Sequence, residues 1–208
     1  MKKMLSLFSI FVIIVLILAM TAGCKDKNEG DIIEPQPTMQ ISSDGRFIED
    51  KVVESGYKKY TPNKSPAKSS DDAAAKSSDE SYSFVYPENW MRPNTPGLSM
   101  VTDNNGNSLN VVALPGTKDM LKNVNEEALK NAITASNPSD VKVEDVKIAG
   151  ADGKLLSYTS EENSVKKKYR QYQVVNNDKL YTITIVLTDN NEKGEEQLKK
   201  MMETFAFE

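Results

Sequence analysis

The chain of 208 residues contains no histidine, a single cysteine and a single tryptophan. The lack of histidine removes the commonest side-chain general base and the commonest metal ligand together. A single cysteine excludes an intrachain disulfide. There is no basic surplus either: 26 Lys and Arg stand against 30 Asp and Glu, a formal net charge of -4. Nucleic acid is therefore not expected as a partner, because phosphate neutralisation calls for an excess of clustered cations. No nucleophile-elbow or Ser-x-x-Lys phrase stands at a strand-to-helix junction, and the Ser-x-x-Lys spacing of Ser65 with Lys68 falls in a low-complexity stretch. Adjacent carboxylates occur at Glu126-Glu127, Glu161-Glu162 and Glu195-Glu196. Neighbours in a helix or strand point in different directions, so solvated surface is expected there rather than a paired acid and base. Asp103, Asn105 and Asn107 alternate as in a calcium loop, but Ser108 and Leu114 stand where that loop needs glycine and glutamate. A plain hairpin turn is the expectation, with no metal, no cofactor and no catalytic centre.

What is present begins with an address. Lys2 and Lys3 precede an apolar run from Met4 to Met20, and Thr21, Ala22 and Gly23 then lead to Cys24 and charged residues. This is the layout of a secretory signal. The alternative, an uncleaved membrane anchor, is disfavoured by length, since a spanning helix needs about 20 apolar residues. The phrase Thr21-Ala22-Gly23-Cys24 resembles the lipobox of bacterial lipoproteins, with threonine where leucine is commonest. That resemblance implies an S-diacylglycerol, and an N-acyl group, on Cys24, with the signal cut between Gly23 and Cys24. The mature chain is then expected on the extracytoplasmic face of a bacterial cell membrane, where two or three acyl chains hold stably and one holds only marginally.

Residues 24–80 read as a flexible tether. Few large apolar residues occur from Cys24 to Glu80, Ser, Lys, Asp, Ala and Pro dominate the second half, and Pro62 to Glu80 is of low complexity. Phe47, Ile48, Val52 and Val53 offer the chance of docking on a domain, but the mobile reading is the expectation, with a reach of roughly 40 Å by random-coil scaling. Residues 81–208 carry the periodic patterning of one domain. Tyr82, Phe84 and Tyr86 alternate as a strand. Strands at Leu98 to Thr102 and Ser108 to Leu114 flank an Asn-Gly turn. Val124, Ala128, Leu129, Ala132 and Ile133 share a helical face, with Asn123 and Glu126 as the expected capping pair. Two further hairpins are expected about Ala151-Asp152-Gly153 and Asn176-Asn177-Asp178. The strand through Tyr181, Ile183, Ile185 and Leu187 is apolar enough to be central. A last helix places Leu198, Met201, Met202 and Phe205 at i, i+3, i+4 and i+7, with Asp189 and Glu192 near its start. The fold class is α+β, a largely antiparallel sheet covered by helices.

This order of elements, opened by the Tyr-Pro-x-x-Trp phrase at Tyr86 to Trp90 and closed by Thr204-Phe205-Ala206-Phe207-Glu208, resembles the PsbP-like family. The resemblance implies an α/β/α sandwich over residues 81–208. It does not carry over the family's photosynthetic role, because no residue of a metal-cluster interface can be matched.

Two features remain as site candidates. Lys166, Lys167, Lys168 and Arg170 form a dense basic run, read either as a solvated strand face or as a docking patch for anionic lipid or wall polymer. Trp90 is read as a packing residue or as the platform of a ligand groove. The expected function is a lipid-anchored, non-catalytic binding or accessory module with a protein or cell-wall partner. The alternative is a small-ligand carrier or hydrolase with a pocket near Trp90. A two-lobed solute receptor is a third reading for which the chain has too little length.

Overall fold

The computed structural model describes residues 46–48, 50–62, 82–95, 98–134, 137–162, 164–188 and 193–208. Gly23 and Cys24, the apolar run before them, Ser65 with Lys68, and Asp189 with Glu192 lie outside the described residues. Among the described residues two sheets form, one four-stranded and one six-stranded.

The smaller sheet contains β1 (Val52–Glu54), β2 (Tyr57–Tyr60), β3 (Tyr82–Pro87) and β10 (Ala206–Phe207), in the order β1-β2-β3-β10. The larger contains β4 (Ser99–Thr102), β5 (Ser108–Pro115), β6 (Ser139–Ile148), β7 (Ala151–Glu162), β8 (Val165–Asn176) and β9 (Lys179–Thr188). Its order is β4-β5-β9-β8-β7-β6, and each neighbouring pair is antiparallel. As expected, β9 is an inner strand, and from Leu180 to Thr188 it is buried throughout. The β8–β9 turn is at Asn177 and Asp178, whose φ values of 49° and 57° suit the tight hairpin that Asn and Asp tolerate.

Two helices, α1 (Glu126–Ala132) and α2 (Gly194–Glu203), lie on opposite faces of the large sheet. Leu129 and Ile133 of the α1 region meet Leu156, with Val143 and Tyr158 packed beside them. The helix is capped by Asn125, whose side chain accepts from the Ala128 N–H at 2.9 Å; Asn123, the expected cap, instead ends the preceding 3-10 segment Lys118–Asn123. On the other face, Leu198, Met201 and Phe205 join Tyr181, Ile183 and Ile185 in the main core.

The helical cover expected on both faces is only partly realised, since β3 and β10 supply much of the cover on the second face. Tyr82 and Phe207 pack on Tyr181 with ring centroids 6.0 and 4.9 Å apart, and Tyr60 stacks on Phe84 at 4.7 Å. Aromatic rings at these separations attract beyond the area that they bury.

The largest departure from the sequence reading concerns the tether. Residues 46–48 and 50–60, assigned to it, pack on the folded domain. Tyr57–Tyr60 pairs with Phe84–Pro87, and Tyr60 is buried in the core. Ahead of that hairpin, the Ile48 N–H donates to the Arg92 carbonyl at 2.9 Å, and the Asn94 N–H to the Arg46 carbonyl at 2.7 Å. Asp50 accepts from Arg92 Nη1 at 2.7 Å and from the Tyr86 hydroxyl at 2.9 Å. The Arg92 guanidinium also lies 4.0 Å above the Tyr60 ring. The low-complexity stretch between Tyr60 and Tyr82 therefore connects two paired antiparallel strands. Loop-closure entropy rises by only about 0.6 kcal/mol per doubling of length, so a long insert there costs little.

Candidate functional site

Trp90 lines neither of the two cavities formed by the described residues. It is 2% exposed and belongs to the main core, so the ligand-platform reading is corrected to packing. Its position one turn after β3 pushes the indole inward, where the aromatic side chains of β3 already gather. The cleft between α1 and the sheet, bordered by Leu129, Ile133, Leu156, Tyr158, Tyr169, Gln171 and Thr184, leaves about 10 Å³. That is room for about one water molecule. Gln171 donates to Thr184 Oγ1 at 3.3 Å and accepts from Gln173 at 3.1 Å, so the polar floor of this cleft is internally bonded.

The basic run is divided by strand periodicity. Successive residues of β8 point to opposite faces, which separates Lys167 from Lys166, Lys168 and Arg170. Two of the latter are already engaged: Arg170 Nη2 lies 2.7 Å from Glu195 Oε2, and Lys168 Nζ lies 3.9 Å from the other oxygen. The run is therefore not one free cationic patch. The adjacent carboxylates are also placed as surface: Glu126 and Glu127 are exposed in the first turn of α1, and Glu195 and Glu196 in the first turn of α2. Asp103 organises its turn by accepting from the Asn105 and Asn107 N–H groups at 2.8 and 2.9 Å and from Asn107 Nδ2 at 2.6 Å. Asn107 Oδ1 then accepts from the Thr188 N–H at 2.8 Å, tying the turn to β9. This is the plain hairpin expected, with its polar groups used in the turn.

An open trough lies between α2 and the β6–β8 end of the large sheet, enclosing about 560 Å³. Its floor is apolar: Leu198 is buried, while Tyr172 and Met202 are half-buried. Its rim carries Lys147, Arg170, Glu195, Lys199 and Glu203. Arg170 reaches it because β8 places Lys168, Arg170 and Tyr172 on one face. Met202 reaches it because Leu198 and Met202 lie four apart on α2. Each rim cation meets a carboxylate of the chain: Lys147 with Asp152 at 3.0 Å, Lys199 with Glu203 at 3.7 Å, and Arg170 with Glu195. A hydrogen bond from Lys147, and then its charge, lowers the Asp152 carboxyl below its usual range. Burial pushes the Tyr172 hydroxyl up, with Arg170 beside it partly opposing. Among the described residues no group of three or more Asp, Glu or Cys is placed to hold a metal ion.

Of the residues picked from sequence, only Arg170 lines this trough. Tyr172, Glu195, Lys199 and Met202 were missed as site residues. The signals that could have found them were the two-residue period of β8 and the four-residue spacing of Glu195 with Lys199 and of Leu198 with Met202.

Three solved structures illustrate what the chain is similar to. A protein from Bacteroides thetaiotaomicron matches at 13% identity and TM-score 0.43, over 61% of this chain and 45% of that one. The chain thus spans less than half the length of that protein. Cyanobacterial PsbP (CyanoP) from Synechocystis matches at 16% identity and TM-score 0.46, over 76% of this chain and 95% of that one. The Ran-binding protein Mog1p of Saccharomyces cerevisiae matches at 10% identity and TM-score 0.39, over 61% and 90%. A search of curated proteins returned no match. The PsbP family profile matches residues 73–207, well over half of the sequence, and the chain therefore belongs to the PsbP family.

Proposed function

We propose that this PsbP-family chain is a lipid-anchored, extracytoplasmic accessory module that acts by binding at its surface rather than by catalysis. The observation that carries the reading is a contrast among the described residues: Trp90 is in the core and the α1 cleft has room for about one water, while the α2 trough opens about 560 Å³ at the surface. A carrier or hydrolase would need a pocket near Trp90, and Trp90 lines neither cavity formed by the described residues.

The anchor is Cys24, with cleavage after Gly23 and attachment on the outer face of the membrane. The first described residue of the folded domain is Arg46. Intact-mass analysis of the membrane fraction tests the anchor. The wild-type chain is expected to begin at an acylated Cys24, and Cys24→Ser to leave the chain unprocessed. A Cys24→Ser chain that is still cut before position 24 and still membrane-bound would refute the anchor.

A further inference from the structure

We propose that the outer edge of β6 pairs antiparallel with β6 of a second copy of this chain, Val143 standing opposite Val143 of that copy, so that two large sheets join into one. This goes beyond the surface-binding reading above and does not depend on lipid at Cys24.

The backbone sets the class of occupant. β6 ends the strand order of the large sheet, and among the described residues only β7 pairs with it. Its register with β7 runs unbroken from Lys142 to Ile148, and a long unpaired edge is a template for a further strand. The opposite edge of the sheet is different. There β4 has four residues, and Met91 exchanges backbone bonds of 2.6 and 2.9 Å with Thr102 on its outer side.

The β6–β7 turn fixes which groups point outward. Ala149 and Gly150, with φ values of 48° and 83°, make the two-residue turn whose flanking residues, Ile148 and Ala151, form a hydrogen-bonded pair. Hydrogen-bonded pairs alternate along an antiparallel ladder, so Val146, Glu144 and Lys142 also bond to β7. The N–H and C=O groups of Val143, Asp145 and Lys147 then face the open edge. A row of alternating donors and acceptors at this spacing is met in full by another extended backbone.

The side chains set which strand. When a two-fold axis relates the two copies, one residue of β6 stands opposite itself. With Lys142, Glu144, Asp145 or Lys147 at that point, like charges meet directly, which destabilises a cross-strand pair. A centre before Lys142 would run the pair through the bulge at Asp140, whose φ is 55°. With Val146 at the centre Asp145 meets Lys147, but Lys154 at 2.6 Å and Asp152 at 3.0 Å already hold those two, and Glu144 falls against the buried Ile148. With Val143 at the centre, two half-buried valines meet, and Lys142 of each copy stands opposite Glu144 of the other. Lys142 and Glu144 are exposed, and among the described residues neither has an ion-pair partner. The backbone bonds hold the pair and the charges select its register. The same charges turn away strands of other sequence.

The test is sedimentation of the full chain in micelles of a neutral detergent, from about 10 µM to about 1 mM, a range suited to a small interface. The wild type is expected to pass from one copy to two as concentration rises, while the Val143 and Asp145 N–H groups exchange more slowly. Lys142→Glu and Glu144→Lys should each weaken self-association by about tenfold or more, because each sets like charges opposite. Mixed in equal amounts, the two variants should pair with each other about as tightly as the wild type does with itself, which a folding defect could not produce. Asp145→Pro, which deletes an N–H that β7 does not use, should abolish pairing with little change in Tm. A chain that stays monomeric throughout would overturn the proposal, as would a dimer indifferent to Asp145→Pro or one that Glu144→Lys weakens and mixing fails to restore. Protection of the Val143 and Asp145 amides at every concentration in a monomer would also overturn it, showing the edge closed by the chain itself. In intact cells a photocrosslinker at Glu144 should join two copies; capture of a different protein alone would assign the edge to a foreign strand and refute the self-pairing.

Discussion

Arginine meets carboxylate at 2.7 Å in two places, Arg92 with Asp50 and Arg170 with Glu195. The side chains of the first pair are 4% and 10% exposed, and those of the second 35% and 50%. Equal distances thus stand for unequal energies. The buried pair holds the segment around Asp50 to the loop after β3, and neither partner can be removed without leaving a desolvated charge. The exposed pair holds α2 against β8 in water, where each partner is solvated when the other is gone. One fixes the extent of the folded unit, and the other lies at the rim of the trough beside α2.

The largest expected effect breaks the buried pair. Arg92→Ala should lower the unfolding free energy by about 3–5 kcal/mol in urea, because Asp50 stays buried with the Tyr86 hydroxyl as its remaining partner. The double variant Asp50→Leu with Arg92→Met, which leaves no charge behind, should recover most of that loss. Next comes Tyr86→Phe, which deletes a hydrogen bond to a carboxylate and should cost about 1.5–3 kcal/mol.

Tyr86 also sharpens the comparison through pH. Burial, and then the neighbouring Asp50, raise its hydroxyl pKa far above the ordinary tyrosine value. A group raised in the folded state stabilises fully below its unfolded pKa, about 10, and that contribution drains away as pH rises beyond it. Unfolding midpoints measured from pH 9 to about pH 12 should therefore fall less steeply in Tyr86→Phe than in the wild type. The smallest effect belongs to the exposed pair. Arg170→Ala should change stability by less than about 1 kcal/mol, and what difference there is should shrink with added salt. A loss as large as that of Arg92→Ala would erase the distinction between the two pairs.

Legibility in the sequence follows the same division. Strands long enough to show their period were readable: β9 through Tyr181, Ile183 and Ile185, and the hairpin at Asn177 and Asp178, both announce themselves locally. The α2 stripe was readable too, since Leu198 and Met201 repeat at helical spacing and both are buried. The segment around Asp50 was not. Its strands are three and four residues long, too short for alternation to register. Its bonds span 36 residues to Tyr86 and 42 to Arg92, distances at which local pattern says nothing. A low-complexity stretch also intervenes before β3, which made everything ahead of it read as linker. The trough was half legible. Arg170 was picked for its charge, but Glu195, which neutralises it, comes from a helix 25 residues later in the chain, so the run looked freer than it is.

The central claim is that the folded unit begins ahead of the low-complexity stretch, with residues 46–48 and 50–60 packed on the domain that carries the PsbP-family match at 73–207. Hydrogen–deuterium exchange on the full chain addresses it amide by amide. The N–H groups of Ile48 and Lys59, which donate to the Arg92 and Lys51 carbonyls, are predicted to be protected about as long as those of β3. Exchange of both at the rate of an unstructured chain, with β3 still protected, would contradict the account.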